Sequence, residues 1–203
     1  MGLGIDALYW GSAALNFTKG APVILRKTLA CAMLFATLGA VPAFAAEDSI
    51  IDEVRLGVMD HELSLFRDDT DEDGVDINGE VLFTSPDWLE WAGSPRPHLG
   101  ATIATHNDTT SFIYTGLAWD WNFWGPLFVE GAFGAALHDG ETGTSTQQNE
   151  LGCAWAFHES ASLGYNLTDN HRLMLTLEHI SNASLCDDNE GLTNIGVRYG
   201  YRF

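Results

Sequence analysis

Lysine is absent from this chain beyond Lys27, and from Ala46 onward only six arginines stand against 27 carboxylates, a net charge of −21. That balance argues against a nucleic-acid partner, since a phosphate backbone rewards clustered positive charge. It suits a cell surface rich in divalent cations. Long apolar runs are missing too: after residue 45 none reaches the roughly 18 unbroken apolar residues of a helical membrane span. Metal-ligand spacing is also lacking, because His61, His98, His106, His138, His158 and His171 are scattered along the chain. These histidines are expected at the rim or in the interior of the fold. Cysteine is scarce, with three in 203 residues. Cys31 follows Arg26 and Lys27 almost directly and precedes the apolar stretch, an order that speaks against a lipid anchor there.

The N-terminal part reads as an export signal. Arg26 and Lys27 lead into an apolar stretch from Leu29 to Val41, and Ala43-Phe44-Ala45 supplies a small-x-small cleavage site before Ala46. Residues 1–25 look unlike a signal start and read as an upstream extension, residues 26–45 as the signal peptide, and residues 46–203 as one domain. That domain has room for eight strands and their loops.

Period-two alternation and turn residues place strands near 53–65, 76–84, 97–106, 110–121, 127–138, 151–164, 171–183 and 193–203. Tight turns are expected at Asn122 to Pro126 and at Asn166 to Asn170. Polar loops are expected at 67–75, 139–150 and 184–192. Short turns at one end and longer loops at the other is the pattern of an outer-membrane barrel. The connection from Ser85 to Pro97 breaks it, and its Trp88, Leu89 and Trp91 suit a membrane interface. Trp119, Trp121, Phe123 and Trp124 suit an aromatic belt at the periplasmic end. In the last strand Ile195, Val197, Tyr199, Tyr201 and Phe203 alternate with small or basic residues. A terminal Phe with Tyr two residues before it resembles the assembly signal of bacterial outer-membrane barrels. The fold class is therefore all-β, an eight-stranded antiparallel transmembrane barrel of the outer membrane.

The strand near 171–183 carries the chemistry. Leu173, Leu175, Leu177, His179 and Ser181 share one face, because side chains alternate along a strand. A serine hydroxyl is a poor nucleophile until a neighbouring base takes its proton, and histidine is such a base near neutral pH. With both termini in the periplasm the seventh strand climbs outward. Leu173 to Ser181 is eight steps, about 26 Å along the strand, so the pair belongs at the outer leaflet. In a Gram-negative cell that leaflet is largely lipopolysaccharide, whose lipid A carries hydroxyacyl esters.

The sequence His179-Ile180-Ser181-Asn182-Ala183, then Asn189-Glu190-Gly191, then Arg198-Tyr199-Gly200-Tyr201-Arg202-Phe203 resembles the lipid A 3-O-deacylases of the PagL type. Val75 to Phe83 is similar to that family as well. The resemblance implies a serine esterase with Ser181 as nucleophile and His179 as general base. It gives Asn182 and Asn189 the task of positioning the site or its oxyanion, and it implies no cofactor. The family's acid is expected two residues after the Asn-x-Gly glycine, where this chain has Thr193. Either Glu190 substitutes from the loop, with Asp187 or Asp188 behind it, or a weakened dyad remains, or activity is lost.

Asp69, Asp71, Asp73, Gly74 and Glu80 match the spacing of an EF-hand calcium loop, but their flanks read as strands. A solvated acidic loop is expected, with loosely bound Ca²⁺ between protein and lipid A phosphates as the alternative. Cys153 and Cys186 fall at the external ends of adjacent strands, and an exported protein can oxidise them to a disulfide. The partners expected are lipopolysaccharide, the outer membrane, the barrel assembly machinery and a second copy as a homodimer. Two rivals stay open: a noncatalytic structural or adhesive barrel, and a periplasmic lipocalin-like carrier with its apolar face inward.

Overall fold

A strand that is apolar on one side and polar on the other buries nothing by itself, and a row of such strands solves the problem by closing. The computed structural model describes residues 49–63, 72–143 and 148–203. The expected upstream extension and signal peptide, and two aspartates of the calcium-loop pattern, Asp69 and Asp71, lie outside these residues. Eight strands follow in chain order: β1 (Ile51–His61), β2 (Gly74–Phe83), β3 (Arg96–Ala104), β4 (Phe112–Trp124), β5 (Leu127–His138), β6 (Trp155–Asn166), β7 (His171–Ser181) and β8 (Leu192–Arg202). Each pairs antiparallel with its neighbours. β1 meets β8 from Glu53 opposite Arg202 to Asp60 opposite Ile195, which closes the barrel.

Closure sorts the side chains. Leu99, Ile113, Val129, Phe133, Leu163 and Leu175 are exposed on the outside, as a barrel wall facing hydrocarbon needs. An inward-facing lipocalin-like lining is thereby excluded. Inside, the side chains are charged and paired with one another. Arg55 reaches Glu53 at 2.7 Å, Glu80 at 3.0 Å and Glu130 at 2.6 Å. Arg172 also reaches Glu53, at 2.9 Å, and Arg198 reaches Glu178, at 2.5 Å. Charges withdrawn from water need such partners, and a guanidinium with five donors serves several carboxylates at once. Toward the loop end the interior turns apolar, with Phe112, Tyr114, Ala136, Leu151, Ala156, Ile180 and Leu192 in one cluster.

Several expected boundaries move. β6 starts at Trp155 rather than near 151, because Gly152 takes a left-handed φ of +73° that breaks the extended chain. Cys153 therefore sits in the preceding loop. β4 runs on to Trp124, which leaves only Gly125 and Pro126 between it and β5. The connection from β2 to β3 folds into a 3₁₀ helix, Asp87–Ala92. Trp88 and Trp91 stand exposed there, whereas Leu89 turns inward instead of meeting an interface. Trp119 Nε1 donates to Ala92 O at 2.8 Å, pinning the helix to the barrel's end.

Candidate active site

Register decides which side of the wall a strand residue occupies, since one step moves it across. In β7 the fully buried Ile180 packs into the apolar cluster at the loop end. Its neighbours His179 and Ser181 must then point outward, in line with Leu173 and with Leu175, which is 51% exposed. The two residues stand at the external end of the strand, above a column of leucines.

His179 lies between two strands. On β8 its cross-strand partner is Thr193, and its Nδ1 shares a hydrogen bond of 2.8 Å with the Thr193 hydroxyl. On β6 its partner is Glu159, and Phe157 stands opposite Ser181. The imidazole also lies against Gly191. A Cβ at that position would stand 2.9 Å from His179 Cε1, and the backbone there has φ +70°. Glycine suits both constraints. Among the described residues the Ser181 hydroxyl has no hydrogen bond. Residues two apart on a strand stand about 7 Å apart at Cα, a span that side-chain rotation can close.

The two asparagines divide their work. Asn182 is buried, its Nδ2 donates to Leu151 O at 2.7 Å and Asp188 O at 2.6 Å, and its Oδ1 accepts from Leu185 N at 3.1 Å. It holds the loop together and has no donor left for a substrate. Asn189 accepts from Asn182 N at 2.8 Å through Oδ1. This orients its amide, whose Nδ2 has no hydrogen bond among the described residues. Glu190 turns its carboxylate to the backbone N–H of Glu150 at 2.7 Å. The hydrogen-bond partner of the His179 ring is thus Thr193, not the stand-in acid expected from the loop. Asp187 is exposed and Asp188 half-buried in the same loop. The sulfurs of Cys153 and Cys186 are joined, with Cα atoms 6.1 Å apart, so the β5–β6 loop is tied to the loop carrying Asn189.

Sequence reasoning missed the residues that brace this rim. The Glu72 carboxylate accepts from Thr110 N at 2.5 Å, Thr110 Oγ1 at 2.9 Å and Asn149 N at 3.0 Å, and it shares a 2.9 Å hydrogen bond with His61 Nε2. Burial opposes its ionisation, but the hydrogen bonds from His61, Thr110 and Asn149 outweigh that and hold it below the usual carboxylate range. Asn149 passes the brace on, donating to Glu62 Oε2 at 2.7 Å and to Gly191 O at 3.3 Å. Loop residues carry no periodicity, so nothing in the sequence singles these two out. Glu80, the last member of the calcium pattern, points into the barrel toward Arg55 and His98. It is unavailable to any loop ligand set, and the EF-hand spacing is therefore coincidental.

Known proteins are similar to this chain in sequence or in fold. The chain is 32% identical over 77 residues to the lipid A deacylase PagL of Bordetella bronchiseptica, a stretch that covers 38% of this chain and less than half, 42%, of that relative. The crystal structure of the outer membrane enzyme PagL superposes with a TM-score of 0.56 at 16% identity, covering 74% of this chain and 99% of that one. Neisserial surface protein A gives 0.51 at 9% identity, over 76% and 98% of the two chains. Both share the barrel. The family model for lipid A 3-O-deacylase (PagL) matches residues 74–202, from the first residue of β2 to the last of β8, and this chain belongs to that family.

Proposed function

We propose that the protein is an outer-membrane serine esterase that removes a 3-O-linked hydroxyacyl chain from lipid A. The observation that carries this reading is the placement of His179 and Ser181 on the lipid-facing side of β7 at its external end, with the imidazole hydrogen-bonded to Thr193. When Nδ1–H donates to the Thr193 hydroxyl, Nε2 keeps its lone pair and can take the Ser181 proton. Ser181 Oγ then attacks the ester carbonyl. The Asn189 amide, its carbonyl held by Asn182 N–H, offers Nδ2–H to the oxyanion that forms. Collapse expels the sugar hydroxyl, which receives the proton from His179. Water then repeats the sequence on the acyl-serine and releases the fatty acid.

Incubating the purified barrel with lipid A and weighing the product tests the reading. The wild type should remove the mass of one hydroxyacyl group, and Ser181→Ala none. Intact lipid A in both samples favours a noncatalytic barrel.

A further inference from the structure

His179 has a second cross-strand neighbour on the lipid side that the mechanism above leaves idle. Glu159 of β6 lies directly opposite it, as Thr193 does from β8. Residues opposed in this way hold their Cβ atoms about 4.5–5.5 Å apart. Among the described residues, Glu159 is the one carboxylate on the outward faces of β2 to β8, where its surroundings on β5 and β6 are Phe133, Phe157 and Ala161. Its Oε2 is shielded from solvent and meets no hydrogen-bond donor. Such a carboxylate is costly unless a cation forms beside it.

Other charges stand elsewhere. Asp60 faces outward from β1, between Val75 and Ile195. His158 and Glu178 lie behind the wall, inside the barrel. Glu150, Asp187, Asp188 and Glu190 belong to the loops. His179 is the group on this face that becomes a cation during acyl transfer.

We propose that Glu159 supplies from β6 the negative charge that Thr193 cannot supply from β8, stabilising the imidazolium formed when His179 takes the Ser181 proton. The inference rests on the serine-esterase reading. Thr193 fixes the ring, the Glu159 carboxylate takes no proton in the step, and the proton moves only from Ser181 Oγ to His179 Nε2. At this separation, in surroundings less polar than water, a charge pair needs no direct hydrogen bond to matter. Glu159 is thus a positioning residue that acts through His179.

The test uses the folded barrel with two readouts: the rate at which a fluorophosphonate labels Ser181, and the rate of lipid A deacylation. Glu159→Gln keeps the shape and removes the charge. It should slow labelling and lower kcat about tenfold or more with KM unchanged. It should also move the acid limb of the pH–rate profile to lower pH, because the imidazolium loses its counter-charge. Glu159→Asp should retain most of the rate. Adding Thr193→Glu to Glu159→Gln should restore it by returning the acid to the β8 side.

A Glu159→Gln protein with the wild-type rate and profile overturns the proposal. So does a double variant as slow as the single one while still folded. A wild type that labels at Ser181 but leaves lipid A intact refutes the deacylase reading, and the labelling comparison then decides about Glu159 alone. A wild type with neither activity refutes both.

Discussion

Gly191 meets two demands at once. Its φ of +70° is costly for a residue with a side chain, about 1–2 kcal/mol, and an added methyl would press on His179 Cε1. Gly191→Ala should therefore leave the barrel folded and push the imidazole off Thr193. We expect kcat to fall about tenfold or more, with unchanged circular dichroism. Normal kcat in that variant would show that the ring position at the glycine is immaterial. Sequence alone singled out His179, Ser181, Asn189 and Gly191 as candidates, because they fall within residues 179–191 in an order that resembles the PagL type. It could not place Glu159 beside His179. That residue is 20 positions away and meets His179 only through the β6–β7 register, which no local pattern reveals.

At the scale of elements, the external loops are joined by Glu72 rather than by their own sequences. Its carboxyl is held below the ordinary range by His61, Thr110 and Asn149 against the cost of burial. The sign follows from linkage: this stabilisation is fully present above the unfolded carboxylate value and drains away as pH falls through the lower folded value. Hydrogen-exchange protection factors at 105–111 and 148–154, taken against the intrinsic rate at each pH, should therefore fall on acidification. Glu72→Gln should exchange fast already at neutral pH, losing about 1–3 kcal/mol of local protection from its unsatisfied donors, and should flatten the pH dependence. High protection factors that do not change with pH in both proteins would remove Glu72 from this role. The strands themselves were largely legible, since alternation fixes which residues face lipid. Their ends were not, because Gly152 and the 3₁₀ helix at Asp87–Ala92 depend on tertiary packing.

The whole molecule divides into a rigid wall and a tied rim. The interior ion pairs around Arg55 and Glu53 fill the end away from the loops, while the disulfide between Cys153 and Cys186 joins two external loops. Reduction should cost about 2–4 kcal/mol and leave the barrel closed. The folded band in unheated electrophoresis should persist, while deacylation slows several-fold as the loop carrying Asn189 loosens. Loss of the folded band on reduction would show that the bond holds the barrel and not merely its rim.

The central claim is that the odd-numbered face of β7 looks into the bilayer, with Ser181 at its outer edge. Spin labels at Leu175, Thr176 and Ser181 in reconstituted vesicles measure this directly through collisions with oxygen, which dissolves in lipid, and with an aqueous nickel chelate. The label at 175 should meet oxygen and escape nickel, the label at 181 should meet both, and the label at 176 should be shielded inside the barrel. Nickel access at 175, with oxygen access at 176 instead, would place His179 and Ser181 inside the barrel and contradict the account.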